Sequence, residues 1–340
     1  MTGRTPKIAL LGATGAVGRA VLELLEEGAF PAAELRLLAS ERSREERIDF
    51  RGEELVVEAP GERSFRGVDV AVLAAGEEAS RTWAPRARAE GVPVVDLSAA
   101  FRADPDVPLV VAGVNDAAAR EARKGIVAGP CGAAVPLALA LAPIHRAAGV
   151  ERASVTVLVP ASASGREGTR QLEAEVLALL NGEEPEPAAF THRMAFNVVP
   201  QVGSFGPDGA TAEEGAVQAD LRRVLSAPGL RATATAVRVP VFHGTAAAVN
   251  LRTGRRLGAA EARELLRSAP GVKVVDAPAE RVYPMPMLSA HDESALVGRI
   301  REDPTQENGL DLFVVGDNLR LGGAANALAI VRILTGERGG

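Results

Sequence analysis

The sequence predicts an α/β fold, with a doubly wound parallel sheet in its N-terminal part and an α+β second domain after it. Three observations carry this. Short apolar runs alternate with helical patterns near the N-terminus, a glycine-rich turn joins the first run to the first helix, and longer strand-like segments fill the middle of the chain. With 340 residues, and roughly 100–200 residues per domain as the ordinary range, two domains are expected.

Lys7 to Leu11 (KIALL) reads as a short buried strand. Gly12-Ala-Thr-Gly15-Ala-Val-Gly18 follows, and then an amphipathic stretch carrying Val17, Val21, Leu22, Leu24 and Leu25. Leu35 to Ala39, Val68 to Ala75 and Val92 to Leu97 are further strands, with helix around Arg81 to Glu90. In the middle of the chain, Ala153 to Val159, Ala232 to Val241, Ala246 to Leu251 and Leu310 to Val315 read as longer strands. The second and third of these are joined near Gly244, which suggests an antiparallel pair. Helices around Thr169 to Leu180 and Ala216 to Leu225 would cover one face. Glu183 to Ala189 and Gly203 to Gly209 are loops, and Ala324 to Leu334 is a final helix able to pack back on the first domain.

Composition narrows the function classes. A net charge of −6 argues against a broad nucleic-acid surface. The single cysteine, Cys131, rules out an intrachain disulfide, and the four histidines lack metal-ligand spacing. A strand pattern begins within seven residues, and no apolar run is long enough to span a membrane, so a cytoplasmic location and no membrane partner are expected.

Gly12, Gly15 and Gly18 form a G-x-x-G-x-x-G turn between strand and helix. Glycine there lets the backbone approach a pyrophosphate, and the helix start offers free N–H groups to that anion. The same pattern also serves a bare tight turn. In this Rossmann-type reading Gly12, Thr14, Gly15, Ala16 and Val17 are candidate nucleotide contacts. The second strand ends in Ser40, Glu41, Arg42 and Ser43 rather than directly in an acid. Hydroxyls and an arginine suit a 2′-phosphate, which favours NADP over NAD. The run Arg42 to Arg47 reads equally as a solvated charged loop.

These motifs resemble the aspartate-semialdehyde dehydrogenase family. The likeness continues through Leu37-Leu-Ala-Ser-Glu-Arg-Ser43, Val95-Asp-Leu-Ser-Ala-Ala-Phe-Arg102, Val107-Pro-Leu-Val-Val111 with Val114-Asn115, Ala195-Phe-Asn-Val-Val-Pro-Gln201, Val237-Arg-Val-Pro-Val-Phe242 and Asp317-Asn-Leu-Arg320. The resemblance implies a Rossmann-type NADP-binding domain over 1–128 with a C-terminal helix at about 322–337, a dimerisation/substrate domain over 129–321, and a homodimer through the second domain's sheet. It also implies Asn318 as a cofactor residue. The family reaction is NADPH-dependent reductive dephosphorylation of aspartyl phosphate, through a cysteine thioester with a histidine base.

The chemical positions match unevenly. In Gly125-Ile-Val-Ala-Gly-Pro130-Cys131-Gly132 the nucleophile position falls on Gly132, with Cys131 one residue before it. If the turn is already helical, one residue swings a side chain by roughly 100°. Cys131 then reads as a small, partly buried apolar residue. In Val239-Pro-Val-Phe-His243-Gly244-Thr245-Ala246 the base position falls on Thr245. His243 lies two residues earlier, roughly 6–7 Å away along a regular strand, and reads as a strand-end histidine with a satisfied backbone bond. Arg102 matches the phosphate-binding arginine, Arg238 the carboxylate-binding arginine, and Glu213 the first acid of Glu-Glu-x-Lys. The lysine of that motif falls on Ala216, the Tyr-Gln pair on Pro160-Ala161, and a lysine after Asp-Asn-Leu-Arg on Leu321.

Three readings follow. One is a paralogue with impaired or lost catalysis, a pseudoenzyme that still binds a nucleotide and a small anionic or dicarboxylate ligand. Another is an active dehydrogenase of amino-acid biosynthesis using Cys131 and His243. The third is a non-enzymatic regulatory or structural partner.

Overall fold

The computed structural model describes residues 5–28, 30, 34–186 and 188–336. Residues 1–4, 29, 31–33 and 337 of the expected first domain, and Pro187 of the expected loop, lie outside them. The chain divides into two compact units, Met1–Pro130 with Gly323–Gly340, and Cys131–Gly322.

The first unit runs β1 (Lys7–Leu11), α1 (Ala16–Glu26), β2 (Glu34–Leu38), β3 (Arg47–Phe50), β4 (Glu53–Val56), β5 (Val70–Leu73), α2 (Glu77–Ala89), β6 (Val94–Asp96), α3 (Asp116–Arg120) and β7 (Ile126–Ala128). Its main sheet has the order β2-β1-β5-β6-β7, with every pair parallel. All four residues of β5 are buried. A strand covered on both faces must be apolar throughout, and this is why the run reads without alternation. β2 and β5 flank β1 on opposite sides, so the strand order reverses at the C-terminal end of β1, where the glycine turn begins. The strands β3 and β4 form a separate hairpin, unforeseen because its residues are largely charged. Arg51 and Gly52 at its tip have φ of 54° and 79°, the pairing that a two-residue primed turn requires.

The second unit contains α4 (Ala134–Ala148), β8 (Val150–Val159), α5 (Gly165–Leu180), α6 (Ala212–Val224), β9 (Arg231–Arg238), β10 (Thr245–Thr253), α7 (Ala259–Arg267), β11 (Val272–Val274), β12 (Ala295–Glu302) and β13 (Gly309–Gly316). Its sheet has the order β11-β12-β13-β10-β8-β9. The expected hairpin between the segments flanking Gly244 is not formed. β8 lies between them, parallel to β9 and antiparallel to β10. The reason is local: after Arg238 the chain leaves the ladder through Pro240, and the carbonyls of Val241 and Phe242 accept instead from the N–H groups of Ala161 and Ser162. Along β8 and β9, Ala153, Val155, Val157, Ala232, Ala234 and Ala236 are buried, while Thr156, Thr233 and Thr235 are exposed. The helices α4, α6 and α7 pack on the sheet. That two-residue alternation marks a sheet with one covered and one polar face.

The last helix, α8 (Asn326–Thr335), belongs to the first unit. Asn326 fastens its start, accepting from the Ala112 N–H at 2.9 Å and donating to the Val110 carbonyl at 3.0 Å. Among the described residues no helix is long and apolar enough to cross a membrane.

Candidate functional site

In the first unit the glycine turn is built by close approach. Gly12 has φ +94°, and a Cβ there would lie 2.5 Å from the Ala74 carbonyl oxygen. A Cβ on Gly18 would collide with the Gly12 carbonyl. Both positions therefore require glycine. Helix α1 starts at Ala16 with Gly15 as N-cap, no side-chain cap and no acid in its first turn, so neither a cap nor a first-turn carboxylate competes with an anion there. Thr14, inside the turn, donates its hydroxyl to Ser43 Oγ at 3.2 Å, which ties the turn to the loop after β2. Ser40 and Arg42 are exposed on that loop. Three of its other charges are paired, Arg44 with Glu41 at 3.6 Å and Glu46 with Arg19 of α1 at 4.0 Å. Arg42 pairs with no carboxylate among the described residues. These features fit a dinucleotide: a glycine cradle with an open helix start, and a loop beside it that carries an arginine and two hydroxyls.

Further along this unit, Asp96 ends β6 and is fully buried. It accepts from the Ser98 N–H at 3.2 Å and the Ser98 hydroxyl at 2.9 Å. Burial raises its pKa against those hydrogen bonds and the charge of Arg102. Arg102 donates Nε to the Gly129 carbonyl and Nη2 to the Leu97 carbonyl, each at 3.0 Å. It thereby holds together the loops that follow β6 and β7.

The second unit brings the Gly132 turn and the turn before Thr245 together at Asn318. Its Nδ2 donates to Ser162 Oγ at 3.0 Å, and its Oδ1 accepts from the Gly244 N–H at 3.1 Å. Its backbone carbonyl lies 3.4 Å from the place a Cβ on Gly132 would take. Gly132, Gly244 and Asn318 are thus neighbours. Thr245, the first residue of β10, is buried opposite Gly316, whereas His243 is exposed. Cys131 is 2% exposed, and its N–H donates to Asp220 Oδ2 at 2.7 Å. Asp220 is itself 3% exposed on α6.

Arg238, at the end of β9, places its guanidinium carbon over the Phe190 ring, 4.7 Å from the centroid. Burial lowers its pKa and the Glu213 carboxylate opposes that shift. Its Nη1 is buried and makes no hydrogen bond. Leaving such a donor unsatisfied costs about 1–3 kcal/mol or more, so the arrangement suits a ligand that supplies an acceptor. The sequence reading missed Asp220, Ser162 and Phe190. For Asp220 a signal exists: it falls on the buried stripe of α6 with Val217, Leu221 and Val224, where a carboxylate needs a reason.

Comparison with known proteins decides the lineage. The family model for "Semialdehyde dehydrogenase, NAD binding domain" matches residues 7–122, and that for "Semialdehyde dehydrogenase, dimerisation domain" matches residues 141–321. The chain is 40% identical to aspartate-semialdehyde dehydrogenase of Aquifex aeolicus, covering 97% of this chain and 98% of that one. The chain belongs to the aspartate-semialdehyde dehydrogenase family. Its resemblance to the family enzyme of Legionella pneumophila is 39% over 97% of this chain and 96% of that one. Among solved structures, aspartate semialdehyde dehydrogenase II of Vibrio cholerae, complexed with ASA, aligns with a TM-score of 0.95 at 36% identity, covering 99% of this chain and 100% of that one. The family frame accounts for the parallel sheet with its glycine turn in one unit and the mixed sheet in the other.

Proposed function

We propose that this chain is a family member with impaired or lost dehydrogenase chemistry that retains an NADP site and binds a small carboxylate ligand. One observation carries the reading: Gly132 stands where the family's motif has its nucleophile. Without a side chain there, no thioester forms at that position. Thr245, at the base position, has no basic group to take a proton near neutral pH. Cys131 is buried with its N–H on Asp220 and His243 is exposed, which supports reading the two as structural residues rather than as a displaced dyad.

Each unit keeps binding groups. Gly12, Thr14, Gly15, Ala16 and Val17 would hold the pyrophosphate of NADP, with Ser40, Arg42 and Ser43 at its 2′-phosphate. When bound, the nucleotide supplies a hydride donor or acceptor. In the second unit Arg238, with Glu213 near its charge, offers an unpartnered N–H to a carboxylate. Arg102 is the phosphate-binding candidate of the first unit. The reading includes a cytoplasmic homodimer through the polar face of the β8–β13 sheet. Light scattering at micromolar concentration should give about twice the 35.2 kDa chain mass, and a monomer mass would reject the dimer.

The deciding assay measures NADPH formation from aspartate semialdehyde and phosphate, on the wild-type protein and on Cys131→Ser. The expected result is little or no turnover in either. Robust turnover lost in Cys131→Ser would mean that the nucleophile has moved to Cys131, and would overturn the reading.

A further inference from the structure

We propose that Phe190 is a positioning residue for Arg238, and that α5 is built to hold Phe190 in place. The proposal rests on the reading of Arg238 as a carboxylate-binding residue. Residues 188–195 form no helix or strand, yet five of their N–H groups end on two side chains of α5. Gln171 Oε1 accepts from Ala188 at 3.1 Å, from Phe190 at 3.0 Å and from Ala189. Glu175 Oε2 accepts from Met194 at 2.7 Å and Ala195 at 2.8 Å. Gln171 Nε2 donates to Glu175 Oε1 at 2.6 Å, which completes the buried pair.

A third feature of the same helix concerns the ring itself. A Cβ on Gly168 would lie 3.0 Å from Phe190 Cζ and would collide with the Ala161 carbonyl. Glycine there leaves room for the ring edge. The Phe190 backbone is thus pinned by Gln171 and its ring is seated against α5. The segment continues to Val199, whose backbone exchanges hydrogen bonds of 3.0 and 2.8 Å with Arg238. One stretch of chain therefore fixes both ends of Arg238, its backbone through Val199 and its guanidinium through the ring.

A guanidinium is planar and carries its donors in that plane. With its Cζ held over an aromatic ring, the guanidinium loses the freedom to swing away, and its donors are kept in one place. Nη1, buried and without a hydrogen bond, is one of those donors. The matching ligand group is a carboxylate, whose two oxygens meet the N–H fork of a guanidinium side by side.

The test uses the full-length protein as wild type, Phe190→Leu, Phe190→Tyr and Arg238→Lys, with succinate as the probe. Two quantities are read: succinate affinity by calorimetry, and the arginine Nε–H signals by NMR, with that of Arg238 identified by its loss in Arg238→Lys. In the wild type the ring should displace the Arg238 signal. Phe190→Leu should abolish the displacement and weaken succinate about tenfold, and Phe190→Tyr should restore both. A Phe190→Leu protein that melts earlier yet keeps the wild-type Nε–H position and affinity would give Phe190 a packing role only, and overturn the proposal. Should the wild type bind no succinate while the displacement still depends on Phe190, the carboxylate reading fails and the positioning role stands.

Discussion

Gly132 lies against Asn318: the backbone oxygen of Asn318 is 3.4 Å from the place a Cβ on Gly132 would occupy, and among the described residues no other non-adjacent atom comes within 4 Å of that place. The φ of Gly132 is not in the left-handed region. Neither space nor backbone conformation therefore demands glycine here. The opposite holds at Gly322, where a Cβ would sit 2.8 Å from the Gly132 carbonyl oxygen.

The two glycines should respond differently to the same change. Gly132→Ala is expected to be close to neutral, within about 0.5 kcal/mol. Gly322→Ala forces backbone apart and should cost about 1–3 kcal/mol. Urea denaturation of the two variants checks this. Equal losses would mean that Gly132 is held by packing, and that a side chain was never an option there.

Asp220 should matter for stability more than its place on a helix suggests. Its carboxylate accepts the Cys131 N–H in a buried setting. Asp220→Ala leaves that donor without its partner, a loss of about 1–3 kcal/mol. A denaturation midpoint unchanged from wild type would show that water replaces the carboxylate and that the contact stabilises nothing.

Legibility in the sequence followed the range of the interactions. The strand Val70–Leu73 and the glycine turn were readable because burial on both faces and tight turning leave local marks. The expected hairpin around Gly244 failed on two counts: the chain leaves the ladder at Pro240, and the place beside β9 is taken by β8, far away in sequence. In the site, Gly132 and Thr245 were singled out by motif alone. Phe190 and Ser162 were not, since each acquires its meaning from a partner, Arg238 or Asn318, that only folding brings near.

Asp96 gives a pH signature of known sign. Burial raises its folded pKa above the unfolded value of about 3.9. Protonated Asp96 is thus favoured in the folded state. Its contribution is fully present below the unfolded pKa and is lost as pH rises through the folded one. Asp96→Asn keeps an acceptor for the Ser98 N–H without the charge, so its stability relative to wild type should improve as pH is raised from 4. Thermal melts of both proteins at several pH values test it. A stability difference that stays flat with pH would mean that Asp96 titrates alike in both states.

Arg42 supplies the clearest test of nucleotide choice. It is exposed beside Ser43, whose hydroxyl meets that of Thr14 in the glycine turn, and no carboxylate among the described residues claims its charge. Glu41 is turned toward Arg44 instead. A 2′-phosphate at this loop would gain a charge-assisted hydrogen bond, which NAD(H) cannot make. Hydrogen bonds to charged groups contribute about 1.5–3 kcal/mol, so Arg42→Ala should weaken NADP(H) by roughly tenfold or more. NAD(H) affinity should stay as it was, because the pyrophosphate contacts proposed at Gly12, Gly15 and the start of α1 would be untouched. Calorimetric titration of both nucleotides against both proteins reads the four affinities. Wild-type protein binding the two nucleotides equally, or Arg42→Ala weakening both alike, would remove Arg42 from the 2′-phosphate and return the charged loop to solvent.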